Sequence, residues 1–263
     1  ELRHLGIRYA SFVTGAGDGL EVDVVRLFAA RLGVEYVFVE SDWTRIIPDL
    51  LGAEVVRDGE RARPGKPAVR RGDIIATGMT VIPWREDVVA FSHPTFPTQI
   101  WLVSAAGSPL QPVTPTSEPG LDVEATRARL AGISVLAKPG TCLDPSLYAL
   151  DAAGARVVTF DDPLKFMAPA VLSGAAEATI LDVPDALVAL RHFPGRIKVL
   201  GPISAPQDMA AAFAPADRDL REAYDRFLGE IMDDGTYRAL VDRYYPAVHT
   251  FFPGFFAHEE PSS

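Results

Sequence analysis

The residues whose types and spacing most clearly suggest chemistry lie in the segment 72–91, GDIIATGMTVIPWREDVVAF. It opens as a short apolar strand over 73–76, passes through Thr77, Gly78 and Thr80, and reaches Pro83 and Arg85 at the start of an amphipathic turn carrying Val88, Val89 and Phe91. A strand that ends in small and hydroxyl residues leaves backbone N–H groups and hydroxyls at its tip, with one guanidinium a turn away. That set suits a carboxylate. The planar donor fork of arginine matches the two oxygens of a carboxylate, and such charge-assisted pairs are roughly twice as strong as neutral hydrogen bonds. The alternative at this point is a solvated arginine at a helix start, paired with Glu86 or Asp87.

Composition narrows the classes. The 263 residues suffice for two lobes with separate cores or for one large domain, and 48% apolar with 23% charged residues is ordinary for a globular chain. A formal charge of -10, with no cluster of Lys and Arg on a regular element, argues against nucleic acid as a partner. No apolar run approaches the ~18 to 20 residues of a membrane span. The single cysteine, Cys142, excludes an internal disulfide, and five scattered histidines show no ligand spacing, so neither a metal nor a cofactor is expected.

The elements that would position Arg85 follow a strand–helix rhythm. A strand begins at 5–7, and a helix over 22–32 places Val25, Phe28 and Leu32 on one face before stopping at Gly33. The run Val37, Phe38, Val39 reads as a strand buried on both sides. Ser41 or Asp42 then caps a helix with Ile46, Ile47, Leu50 and Leu51. Residues 52–72, rich in charge, Gly and Pro, read as an exposed loop or small hairpin, a solvated insertion or a surface for a partner. After an extended run at 99–103 a Pro/Ser/Gly stretch breaks the pattern. A second α/β rhythm comes next, with helices at 123–130, 143–152, 163–172 and 184–190 and strands at 133–137, 156–160 and 178–181. A break at 201–206 precedes a strand at 209–213 and a helix whose stripe is Leu220, Tyr224, Phe227, Leu228 and Ile231.

The segment 72–91 resembles the signature of bacterial extracellular solute-binding proteins of the polar amino-acid type, family 3: a strand, a Gly/Thr turn, Thr80-x-x-Pro83-x-Arg85, then Phe91-Ser92. Further resemblances keep the family's order: GIRYASF at 6–12, LEVDVVRLFAARLGV at 20–34, SDWTRIIPDLL at 41–51, VLAKPGTCLD at 135–144, ATILDVPDAL at 178–187 and DDGTYRALVDRYY at 233–245.

The resemblance implies an α/β, two-lobe periplasmic binding protein type II fold. Each lobe would be a mainly parallel sheet flanked by helices, and a two-strand hinge would join them. The first lobe would comprise 1–100 and a return segment 205–263, and the second 101–204, with crossings near 98–106 and 200–208. It implies a receptor without catalytic activity that captures a small polar solute, expected to be an amino acid, in the cleft between hinged lobes for an ABC importer. Arg85 would take the ligand's carboxylate, aided by Thr80 and by backbone near Thr77 and Gly78, and Tyr9 and Trp43 stand where the family places its sandwiching rings. In the second lobe the turn Gly140-Thr141-Cys142 would offer N–H groups at a helix start, Thr141 covering for the weaker donor Cys142. Asp182 would take the ammonium, cap the next helix, or both.

Gly6 stands where binders of cationic amino acids carry an acid, which disfavours lysine or arginine as ligand, and Arg8 is expected to point to solvent, the alternative being a place at the cleft rim that would suit an acidic or polar ligand. Partners would be the permease subunits of an importer or a fused signalling module, around a monomer. Glu1 rather than Met fits a leader removed upstream, and the closing FFPGFFAHEEPSS fits a natural end or a trimmed connection. A periplasmic or extracytoplasmic location is an expectation from the family. The alternatives are a ligand-sensing domain of a receptor or of a lytic enzyme, and a cyclohexadienyl dehydratase-like enzyme for which Asp185 is the spare carboxylate.

Overall fold

The computed structural model of the chain describes residues 1–59 and 61–256. Residues 257–263 of the closing segment lie outside the described residues. Two compact units emerge, Glu1–Pro97 with Asp208–Ser263, and Thr98–Gln207.

The first unit holds β1 (Leu2–Gly6), α1 (Leu20–Leu32), β2 (Tyr36–Glu40), α2 (Ile46–Leu51), β3 (Ala53–Asp58), β4 (Arg61–Pro67), β5 (Ile74–Ile75), α3 (Pro83–Glu86) and β6 (Ala90–Thr98). The second holds β7 (Ile100–Ala105), α4 (Pro119–Arg127), β8 (Ser134–Ala137), β9 (Arg156–Thr159), α5 (Met167–Leu172), β10 (Ala178–Asp182), α6 (Val183–His192) and β11 (Ile197–Pro202). The chain then supplies the first unit with β12 (Gln207–Phe213), α7 (Arg218–Asp233), α8 (Thr236–Tyr244) and α9 (Val248–Phe251).

The first sheet runs β2-β1-β5-β12-β6. β1 is parallel to β2 and to β5, pairing His4 with Ile74 and Leu5 with Ile75, while β12 meets β5 antiparallel. α1 packs Val25 and Phe28 into the core, where Phe28 joins Tyr224 and Phe227 of α7 and Tyr224 meets Phe213 of β12. Gly33 ends α1 in the left-handed conformation at φ 69, which glycine adopts without a Cβ penalty. Two burial expectations are corrected here. Leu32 is exposed, and so is Phe38, because β2 is the edge of the sheet and one face of its aromatic meets solvent.

Residues 53–67 form a two-stranded hairpin, β3 with β4, rather than a loop. It is anchored on α3: Arg61 pairs with Asp87 at 3.1 Å, Ala62 N–H donates to the same carboxylate, and Arg57 stacks on Trp84. A short hairpin is marginal alone in water, so these contacts hold it in place.

The second sheet runs β11-β7-β10-β8-β9. β10 is parallel to β8 and β8 to β9, whereas β7 is antiparallel to both β10 and β11. The sheet is therefore mixed: the β-α-β rhythm yields its parallel half, and β7 and β11 add antiparallel neighbours to it. Three helices differ from expectation. Residues 143–152 form only a 3-10 turn, Pro145–Tyr148, because Asp144 caps it through Ser146 N–H and Ala149 leaves it in the left-handed conformation at φ 46. The helix expected at 123–130 starts earlier, at Pro119, and closes in the 3-10 turn Ala128–Leu130. The one expected at 163–172 is a 3-10 turn, Leu164–Phe166, followed by α5. The break expected at 201–206 begins later, since β11 runs to Pro202.

Candidate functional site

In the first unit the functional side chains hang on the turn that succeeds β5. Ala76 O accepts from His4 Nε2 at 2.6 Å, and His4 Nδ1 meets the Tyr36 hydroxyl at 2.9 Å. Burial lowers the His4 pKa to about 4, so the ring is neutral, with its proton on Nε2. The Thr77 hydroxyl both accepts from Ile7 N–H and donates to Ile7 O, at 3.0 and 2.9 Å. Gly78 has φ 66, and a Cβ there would sink into the Phe12 ring. Its N–H donates to Glu21 Oε2 at 2.6 Å.

From this turn the chain bridges Thr80 to Met209 of β12 and enters α3, whose first turn begins on Pro83 and carries Arg85. Arg85 Nη1 donates to Thr80 O at 2.8 Å, and the guanidinium carbon lies 5.7 Å from the Trp43 ring centre and 5.4 Å from that of Trp84. The side chain is almost wholly buried, at 2% exposure, which removes the solvated-arginine alternative. Asp87, its suggested surface partner, belongs instead to Arg61 of the hairpin.

Tyr9 is buried, stacks on Phe12 and meets Trp43 edge-on at 5.6 Å. The hydroxyl oxygen of Thr80 is buried and has no hydrogen-bond partner among the described residues. Thus the structure groups Arg85, Thr80, Tyr9 and Trp43. The Thr77 hydroxyl is engaged with the Ile7 backbone, and of the backbone groups expected near Thr77 and Gly78 the Gly78 N–H already has a partner in Glu21. Gly6 lies under Phe38, where an added Cβ would collide with the ring, and exposed Arg8 pairs with Glu40 at 3.0 Å.

In the second unit Asp182 ends β10 fully buried. Its Oδ1 accepts from Asp185 N–H at 3.2 Å, which makes it the cap of α6, and the Cys142 thiol donates to its Oδ2 at 3.5 Å. Burial, and then the charge of Asp182, push the Asp185 carboxyl well above the usual carboxylate range. The turn at 140–142 differs from expectation. Gly140 N–H donates to Asp144, the Thr141 hydroxyl donates to Lys138 O and accepts from Leu143 N–H, and the Cys142 carbonyl accepts from Tyr148. The next element is a 3-10 turn in place of the helix expected at 143, and within the turn the Gly140 N–H and the Thr141 hydroxyl have partners.

Sequence reasoning missed Glu21. It is buried, its second oxygen accepts from Thr95 at 3.3 Å, and burial raises its pKa to about 7. A signal was present, since Glu21 falls on the stripe 21/25/28 of α1. An acid on an apolar stripe calls for a buried partner. The raised pKa gives a stabilising contribution that is full below about 4.5 and lost as pH rises through about 7. His4 contributes in the opposite sense, fully above 6.5 and progressively less as pH falls through about 4.

Residues 65–247 match the family profile of bacterial extracellular solute-binding proteins, family 3, which is well over half of the chain. The chain belongs to this family. Among curated proteins this family member is 30% identical over 236 residues to the membrane-bound lytic murein transglycosylase F of Desulfosudis oleivorans, covering 89% of this chain and 45% of that one. It is 24% identical over 225 residues to the arginine-binding protein ArgT of Corynebacterium glutamicum, covering 85% of this chain and 65% of the relative. The chain therefore spans between about half and two thirds of the length of these relatives. Among solved structures, the P235GK mutant of ArgBP from T. maritima superposes with a TM-score of 0.72 at 26% identity, over 93% of this chain and 95% of that one. The fold is that of type II periplasmic binding proteins, and the role is solute binding.

Proposed function

We propose that this solute-binding chain captures a small amino acid, whose carboxylate is taken by Arg85 and whose ammonium is taken by Asp182. The observation that carries the reading is the Arg85 guanidinium, buried, seated on Thr80 O and flanked by two indoles. The planar donor fork of a guanidinium matches the two oxygens of a carboxylate, and the Thr80 hydroxyl, buried and without a hydrogen-bond partner among the described residues, stands beside it as a further donor. Tyr9 and Trp43 add apolar faces for the solute's body. Asp182 serves at once as helix cap and as buried negative charge, and the two roles are compatible.

The chain acts outside the cytoplasm and hands its solute to the permease subunits of an ABC importer, without catalysis of its own. The likeness to a lytic transglycosylase supports a second reading, in which the same binding unit senses a solute for a larger protein. A thermal-shift screen of amino acids and small carboxylates tests the function. At least one amino acid raises the melting temperature of the native chain and raises that of Arg85→Ala much less at the same concentration. Stabilisation of both proteins alike by every compound that acts contradicts the reading, as does turnover of prephenate or arogenate.

Asp182→Asn keeps the capping acceptor and removes the charge. Calorimetric titration then shows affinity for the stabilising amino acid falling by about tenfold or more, ~1.4 kcal/mol. The matching carboxylate without an amine binds as well as before. Equal losses for both solutes deny the ammonium role.

A further inference from the structure

The turn that seats Arg85 is held from inside the first unit by a buried acid. Glu21 of α1 accepts from the Gly78 N–H at 2.6 Å and from the Thr95 hydroxyl of β6 at 3.3 Å. Two residues beyond Gly78, Thr80 bridges to Met209 and its carbonyl receives Arg85 Nη1. A continuous series of hydrogen bonds and one short piece of backbone therefore joins the Glu21 carboxylate to the guanidinium.

We propose that Glu21 is a positioning residue for solute binding: ionised, it fixes the 77–80 turn and with it the seat of Arg85, and protonated, it loosens both. The inference rests on the reading of Arg85 as the carboxylate clamp. Three independent features of the geometry support it. Glu21 is buried, so its bond to Gly78 is little weakened by solvent. Gly78 has a positive φ and is packed against Phe12, so the turn has one well-defined arrangement to lose. No cation pairs with Glu21 among the described residues, and the groups that face it are the Thr95 hydroxyl of β6, the Tyr224 phenol of α7 and the Gly78 amide.

The Tyr224 phenol is held well above its ordinary pKa by burial and by the Glu21 charge, and so stays neutral. His4, on the other side of the turn at Ala76 O, is likewise neutral at and above pH 5. Glu21, with its pKa raised to about 7, is then the one of these groups that changes charge near neutrality. Protonation replaces a charge-assisted acceptor at Gly78 with a neutral one of roughly half the strength.

The test is a pH titration by nuclear magnetic resonance of the native protein and of Glu21→Gln, with sodium acetate as the carboxylate probe. In the native protein the Gly78 amide and the Arg85 Nε–H signals shift together with one midpoint near pH 7, and in Glu21→Gln neither shifts in that range. Acetate, followed at Arg85, binds the native protein about 3- to 5-fold more weakly at pH 6 than at pH 8, and Glu21→Gln equally at both. An Arg85 signal that stays flat while Gly78 titrates overturns the inference, as does acetate binding with no pH dependence. An Arg85 signal that acetate never perturbs, at either pH, overturns the clamp reading instead. Melting curves of the two proteins at pH 6 and pH 8 separate a loss of fold from a loss of positioning.

Discussion

Arg85→Ala weakens binding of the stabilising amino acid by about 30- to 700-fold, roughly 2 to 4 kcal/mol, in calorimetric titration. The size comes from burial. An arginine that is 2% exposed and bonded to Thr80 O meets a carboxylate with little water to screen the pair, and its removal leaves the solute's charge without that partner. The loss is not confined to charge, because the guanidinium also lies against Trp43 and Trp84. Arg85→Lys separates these contributions: lysine keeps the charge but loses the fork and the flat face, so an intermediate affinity is expected. Wild-type affinity in Arg85→Ala contradicts the clamp.

The second large effect is on the fold. Gly78→Ala places a Cβ into the Phe12 ring at a backbone angle, φ 66, that L-residues adopt at a cost. Phe12 has little room to yield, since Phe96 meets it edge-on at 5.1 Å and Tyr245 packs at 5.0 Å. The angle costs ~1 to 2 kcal/mol and overpacking a further ~1 to 3, so chemical denaturation shows a loss of about 2 to 5 kcal/mol. The same substitution shifts the turn that seats Arg85, and affinity falls with stability. A Gly78→Ala protein as stable as the native one contradicts the packing described around this turn.

The sequence made parts of this site legible and hid others, for physical reasons. The strand–turn–Pro–Arg order of 72–91 was readable because each step uses a local rule: β-forming residues, a glycine at a positive φ, a proline in the first helical turn. The stripe of α7 was readable from spacing alone, and four of its five members are buried. Exposure of Phe38 was not, since an apolar strand reads alike at the centre and at the edge of a sheet until strand order is known.

The partners of Thr77, Gly78 and Thr141 were hidden in different ways. Thr77 bonds to Ile7 and Gly78 to Glu21, both more than fifty residues away in sequence, and no local pattern encodes such pairings. Thr141, by contrast, bonds to Lys138 and Leu143, a local hydroxyl turn that the expectation of a helix at 143 obscured. The hairpin at 53–67 was one of two readings, loop or small hairpin, that its charged, Gly- and Pro-rich segment left open. Its attachment through Trp84 and Asp87 to the short helix bearing Arg85 was not legible.

Whether the Arg85 guanidinium grips the carboxylate of a bound amino acid is decided by a crystal structure with the amino acid that most stabilises the chain. Both carboxylate oxygens are expected within about 3 Å of the Arg85 nitrogens, with the Thr80 hydroxyl on one of them. An amino acid bound with its carboxylate on other groups, and Arg85 still held by protein atoms alone, contradicts the clamp at its root.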